Sequence, residues 1–240
     1  SYGAFADNKN LSVVVIPDNV TTVGGEAFAG CTSLKTIVFG ANVTTLGAGM
    51  LRGCTSLTEV SLPKKLTIIP NSCFLGCPAL SKVILPEGLT TIEGYAFQDC
   101  SSLQTIQLPS TIRVMTQAFA GCTGLVEIEI PEGVSILDKT FMDCPNLSKV
   151  TLPSSLTTIG TQAFGGCSNL VSLHIPSGVT NIGSSAFAEC IALSNIVLPN
   201  GLTTLGDYAF QDCRALSKIV LPNKLTSVPN QAFVNCQSLA

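Results

Sequence analysis

Leu80-Ser-Lys-Val83-Ile-Leu85-Pro86-Glu-Gly-Leu89-Thr-Thr-Ile92-Glu-Gly-Tyr-Ala96-Phe97-Gln-Asp-Cys100 is the stretch that decides how this chain is read. Almost all of the remaining sequence is this stretch again. As a pattern it is L-x-x-I-x-L-P-x-x-L-T-x-I-x-x-x-A-F-x-x-C, with a period of 23 residues. Cysteines set the register, at Cys31, Cys54, Cys77, Cys100, Cys122, Cys144, Cys167, Cys190, Cys213 and Cys236. Their intervals are 23 residues, except for 22 before Cys122 and before Cys144. Three residues before each stands a phenylalanine, with Leu51 the one substitute, and three residues after each stands a leucine. A fixed period of this length is the mark of a solenoid, in which one coil alone cannot bury its apolar face.

The strand positions follow from a period of two. In Leu80–Leu85 the anchors Val83 and Leu85 alternate with Lys82 and Ile84, which places the anchors inward and the others outward. The same alternation recurs at Val14/Ile16, Ile37/Phe39, Val60/Leu62, Ile106/Leu108, Ile128/Ile130, Val150/Leu152, Leu173/Ile175, Ile196/Leu198 and Ile219/Leu221. Like strands one coil apart must run parallel. A proline follows each strand except at Gly40. Having no N–H for the ladder, it ends every strand at one level. A second short apolar and β-branched pair, as in Leu89-Thr-Thr-Ile92, predicts a second narrow strand. Gly24, Gly47, Gly160, Gly183 and Gly206 come next and are expected to permit a sharp turn. The Ala-Phe-x-x-Cys piece is expected to form one turn of 3₁₀ or α-helix. In the two 22-residue repeats the missing residue lies between the second pair and the Phe, and the turn is expected to absorb it.

Composition narrows the classes. Of 240 residues 46% are hydrophobic and 11% charged, with a net charge of -3. That is far from a disordered composition. With no basic stripe, nucleic acid is not an expected partner. No apolar run reaches the ~20 residues of a membrane helix. No signal peptide opens the chain. No linker interrupts the repeat, so residues 1–240 are read as one domain of about ten repeats. It opens at Tyr2-Gly-Ala4-Phe5 in mid-repeat and stops just after Cys236, and is read as a fragment of a longer array. Bare end coils would expose core, so end-to-end self-association is a further expectation.

The eleven cysteines do not read as a disulfide framework. Equivalent residues of stacked coils lie ~4.8 Å apart and point the same way, whereas a disulfide needs side chains directed at each other. They are read as small buried hydrophobes. Cys73 sits in the column held elsewhere by alanine. Cys73 and Cys77 find no second pair to complete a zinc site, and no cofactor is expected.

The repeated L-x-x-I-x-L-P…A-F-x-x-C signature resembles the BspA-like, or Treponema-type, subclass of leucine-rich repeat proteins, from Ala4 to Leu239. It departs from the commoner leucine-rich repeats by having no asparagine ladder. The resemblance implies a leucine-rich repeat solenoid of right-handed coils. A parallel concave β-sheet would line one side, with short second strands and 3₁₀ or helical turns on the other. It also implies a surface-exposed or secreted protein that adheres to host-cell or extracellular-matrix proteins.

Solenoids bind on extended concave surfaces. The candidate partner-binding face is therefore the outward strand positions: Val13, Val15, Thr36, Val38, Glu59, Ser61, Lys82, Ile84, Thr105, Gln107, Glu127, Glu129, Lys149, Thr151, Ser172, His174, Asn195, Val197, Lys218 and Val220. These vary while the core does not, and exposed aliphatics among them point to a protein partner. Glu127, Glu129 and Glu132 make an acidic spot short of the six or more oxygens that calcium takes. His174, the one histidine, has no nucleophile or acid in triad spacing, so an enzyme is not expected. Asn10, Asn19, Asn42 and Asn146 begin glycosylation triplets that the repeat itself generates. The expected function is a non-enzymatic, cell-surface or secreted binding module; the alternative is an intracellular interaction scaffold.

Overall fold

The structure, a computed structural model, describes residues 2–240. Eight coils each contribute two short strands. In chain order they are β1 (Val13–Val15), β2 (Thr22–Val23), β3 (Thr36–Val38), β4 (Thr45–Leu46), β5 (Glu59–Ser61), β6 (Ile68–Ile69), β7 (Lys82–Ile84) and β8 (Thr91–Ile92). After one coil without them come β9 (Glu127–Glu129), β10 (Ile136–Leu137), β11 (Lys149–Thr151), β12 (Thr158–Ile159), β13 (Ser172–Leu173), β14 (Asn181–Ile182), β15 (Asn195–Ile196) and β16 (Thr204–Leu205). Odd-numbered strands stack on one face and even-numbered strands on another. Pairing is parallel and in repeat register, Val14 against Ile37, Val60 against Val83 and Ile128 against Val150. The period-two reading thus holds: one residue of each odd strand, such as Ile37, Val60, Ile128 and Leu173, turns into the core, and its neighbours turn out to solvent.

One cluster of aliphatic, aromatic and cysteine side chains runs the length of the stack. Its strongest joint is the Ala-Phe-x-x-Cys corner. There, adjacent coils share a ladder of three backbone hydrogen bonds. Ser72, Phe74 and Gly76 donate to the carbonyls of Gly94, Ala96 and Gln98 at 3.0, 2.8 and 2.9 Å. The pattern repeats without a gap, from Gly3, Phe5 and Asp7 to Tyr208, Phe210 and Asp212. Inside the corner the phenylalanines stack face to face, with centroids 5.2–5.5 Å apart along Phe164–Phe187–Phe210–Phe233. Leu51 interrupts the file between Phe28 and Phe74 without leaving the core.

The cysteines do more than fill space. Every register thiol donates to the carbonyl of the Phe-column residue one coil back, at 3.0–3.3 Å, from Cys31 on Phe5 to Cys236 on Phe210. The same carbonyl accepts the backbone N–H of its own coil's cysteine, as Phe74 does from Cys77 at 3.2 Å. Both lone pairs of a buried oxygen are thereby used. All eleven cysteines are free.

Two local expectations are refined. The corner is a chain of tight turns, not a helix. Ala96, Gln98 and Cys100 donate to Glu93, Tyr95 and Phe97, each three residues back. Between them Tyr95 and Asp99 lie in the left-handed region, both at φ 60°, which a right-handed helix cannot contain. The glycine column after the even strands has a role other than turning. Gly183 has no positive φ; a Cβ there would lie 2.6 Å from the Thr161 nitrogen and 2.7 Å from the Gly160 carbonyl carbon. Glycine is needed so that successive backbones can approach.

The odd-strand face is joined less completely than the corner. Its ladder breaks into the pairs β1–β3, β5–β7, β9–β11 and β13–β15, while the even strands form the pairs β2–β4 and β6–β8 and one four-stranded sheet, β10–β12–β14–β16. The last coil forms no strand, and among the internal coils the 22-residue coil before Cys122 carries the largest gap. Among the described residues, Gln104 to Leu108 donate no backbone hydrogen bond, and its second strand shrinks to one bridge, Thr91 with Val114. The corner absorbs the two deletions as expected. Phe119 and Phe141 remain stacked at 6.0 Å, Phe141 and Phe164 tilt by 20°, and the thiol ladder continues through both coils.

Two outcomes follow from this packing. Phe164 is fully buried between Phe141 and Phe187, so Phe164→Ala is expected to lower unfolding free energy by ~3–5 kcal/mol in urea titrations. Phe5→Ala, at a half-exposed end position, is expected to lower it by less than half as much. Burial raises the thiols from their ordinary 9.0, to about 12 for Cys100, Cys144 and Cys190. The folded state therefore holds these protons more tightly than the unfolded chain. That stabilisation is complete below pH 9 and is lost as pH climbs towards 12. Tm is expected to fall steeply above pH 9; a flat Tm to pH 11 would contradict the buried-thiol ladder.

Candidate functional site

All twenty outward positions of the odd-strand face are exposed. They form two columns along the stack. In the column that follows the core residue, aliphatics hold both ends, Val15, Val38 and Ile84 towards one and Val197 and Val220 towards the other. Gln107, Glu129, Thr151 and His174 lie between them. The exposed aliphatics, Val13 included, show 50–74% of their surface to solvent. Buried side chains beneath the face, such as Ile37, Val60 and Ile128, hold its backbone in place.

Charges on the face are partly compensated. Lys82 pairs with Glu59 at 3.8 Å and Lys149 with Glu127 at 3.0 Å. Both pairs bridge coils whose ladder is intact, β5–β7 and β9–β11. Exposed pairs of this kind contribute at most about 1 kcal/mol, so they set register and charge more than stability. The acidic spot does not converge. Glu132 turns to the next coil and accepts from Ser154 N–H at 2.9 Å, Ser154 Oγ at 3.0 Å and Ser155 N–H at 3.2 Å. Those bonds, led by the Ser154 amide, hold its carboxyl below the usual carboxylate range. Glu127 is occupied by Lys149, which leaves Glu129 without a cation within 4.0 Å among the described residues.

His174 is exposed on the face beside Ser172, Asn195 and Val197. Among the described residues its side chain makes no hydrogen bond that would link it to an acid or a nucleophile. Ten of the eleven thiols are buried, which favours their protonated form, and no group of three or more His, Cys, Asp or Glu side chains is arranged to hold a metal among the described residues. Of the glycosylation triplets, Asn42 and Asn146 already spend their amide N–H on the carbonyls of Asp18 and Thr123, at 3.0 and 2.8 Å. Among the described residues no helix is long and apolar enough to cross a membrane.

Five grooves of about 250–760 Å³ open on this face. Two flank the unpaired coil Thr105–Leu108, at about 630 and 470 Å³. Another, about 650 Å³, lies where β3 and β5 fail to pair. The largest of these five lies between Leu173–Ile175 and Ile196–Leu198. Their rims include Lys64, Ser110, Ser177 and Asn200 from the turns after the proline column, residues outside the strand alternation. The polar residue of varying type that follows each proline of the column is the sequence signal for them.

This geometry has known counterparts. The BspA-type leucine-rich repeat region matches residues 1–126 and 134–240, in six copies. Among solved structures, a leucine-rich repeat protein from Bacteroides ovatus is 26% identical over 94% of this chain and 82% of that chain, with a TM-score of 0.61. The T. pallidum leucine-rich repeat protein is 29% identical, covering 76% of this chain and 78% of that one, at a TM-score of 0.58. A leucine-rich cell surface protein from Faecalibacterium prausnitzii shares the fold at 24% identity, 91% and 80% coverage and a TM-score of 0.50. No curated protein matches the chain. With the repeat matched over nearly its whole length, the chain belongs to the BspA-type leucine-rich repeat family.

Proposed function

We propose that the chain is a non-enzymatic binding module, displayed on a cell surface or secreted, that adheres to a host or extracellular-matrix protein through the odd-strand face. One observation carries this reading. The inward strand positions are held to aliphatics in coil after coil, Phe39 excepted, while the twenty exposed positions beside them range over Val, Thr, Glu, Lys, Gln and His. A solenoid holds such a surface rigid and lets its side chains vary. Mixed aliphatic and charged character suits a protein partner, and the cell-surface protein among the fold's relatives is in keeping with display outside the cell.

The free thiols favour a second reading, an intracellular interaction scaffold, because a reducing compartment keeps cysteines unpaired. Burial answers this in part: ten of the eleven are shielded from oxidants.

The test is surface binding to a panel of purified matrix proteins, with charge reversals on opposite faces. Val38→Glu combined with Glu129→Lys is expected to weaken capture about tenfold or more, since truncating or inverting central contacts removes ~1.4 kcal/mol or more. Thr45→Lys and Thr204→Lys, on the even-strand face, are expected to leave it within about twofold. Equal losses on both faces, or none on either, would contradict the assignment of the face.

A further inference from the structure

Among its outward strand positions the odd-strand face carries one uncompensated carboxylate, in a fixed relation to the largest of the five grooves. Glu129 borders the groove of about 470 Å³ with Thr105 and Gln107. The other carboxylates there are spent, Glu127 on Lys149 and Glu132 on Ser154. Val197, exposed over 74% of its surface, borders the groove of about 760 Å³, whose floor is Leu173, Ile175, Ile196 and Leu198. Glu129 and Val197 stand in the same outward column. Glu129 pairs in register with Thr151 of the next coil, and His174 and Val197 follow on the two coils after that.

Spacing then specifies a ligand. Three coil steps at ~4.8 Å place Val197 about 14 Å from Glu129. An extended polypeptide advances ~3.3 Å per residue and turns alternate side chains to one side, so four residues span about 13 Å. A chain laid along the stack would thus present a residue to Glu129, the next-but-one to Thr151 and His174, and the fourth along to Val197. A guanidinium is the cation best matched to a carboxylate, through paired parallel hydrogen bonds. An aliphatic side chain is matched to the larger groove, which takes its apolar surface out of water.

We infer that this face takes an extended polypeptide segment bearing an arginine or lysine opposite Glu129 and a Val, Leu or Ile four residues away, seated beside Val197. The inference rests on the reading of the odd-strand face as the docking surface and adds the chemistry and spacing of what docks there. Because Glu129 is exposed, the contact is salt-sensitive, and the aliphatic anchor carries the remainder.

The experiment uses the whole chain and short fluorescent Ser/Thr peptides, read by anisotropy. One peptide has Arg and Leu four residues apart, a second has them two apart, and a third replaces Arg by Glu at the four-residue spacing. The first is expected to bind at least about fivefold more tightly than the other two. Glu129→Lys is expected to weaken the first about tenfold and to gain the third by a similar factor, and Val197→Ser to weaken the first about tenfold. Both positions are exposed, and unchanged melting confirms that the variants fold. Absence of binding, indifference to spacing, or failure of the charge swap would overturn the inference. If the first peptide binds and Val38→Glu disrupts it while Glu129→Lys and Val197→Ser do not, the site is wrong and the face stands. If no odd-strand substitution alters its binding, the face is wrong as well.

Discussion

A thiol donating to a carbonyl one coil behind it is the contact around which this solenoid is arranged. The carbonyl belongs to the phenylalanine column and already receives the N–H of its own coil's cysteine. Without the second donor that oxygen would be half-satisfied in a dry interior, and leaving a buried polar group unpaired costs about 1–3 kcal/mol. A residue here must be small, tolerate full burial and donate once. Alanine fails the last requirement, and serine would bring a more strongly hydrated hydroxyl into the same space. Cysteine meets all three, which explains why a column of ten never pairs into disulfides.

The corner and the odd-strand face divide the labour of the fold. At the corner, three backbone bonds and one thiol bond join each pair of neighbouring coils, with a ring-on-ring contact wherever Leu51 does not replace the ring. On the odd-strand face, pairing lapses between alternate coils and five grooves open. Stability placed at one corner leaves the opposite demands, variation and recognition, to a surface that the stack does not need for its own cohesion. The coil lacking strand pairing at Thr105–Gln107 keeps its place because Phe119, Cys122 and Leu125 remain fully buried.

Much of this was legible in the sequence. A period of 23 residues fixed the coil, alternation placed Val83 and Leu85 inward, and the proline column ended the strands. What escaped was whatever depends on contact between coils. Cys77 and Ala96 read alike as small buried residues, and only the stack distinguishes them by giving Cys77 the Leu51 carbonyl. Gly183 was attributed to turning, because a single sequence cannot show that Thr161 and Gly160 of the previous coil press against its Cα. Asp99 and Tyr95 gave no warning of left-handed backbone, since neither is glycine. The outward residues were named correctly as exposed, but which of their charges are spent on each other depends on rotamers. Glu127, Glu129 and Glu132 looked equivalent, yet only Glu129 is left without a partner among the described residues.

The claim that the corner holds the coils together, leaving the odd-strand face free, is tested most directly by amide hydrogen exchange along the native chain. The account predicts that the amides of Phe97, Phe119 and Phe141 exchange only through global unfolding, while those of Gln104 to Leu108 exchange through local opening, orders of magnitude faster. Equal protection at the two places, or faster exchange at the phenylalanine amides, would contradict it.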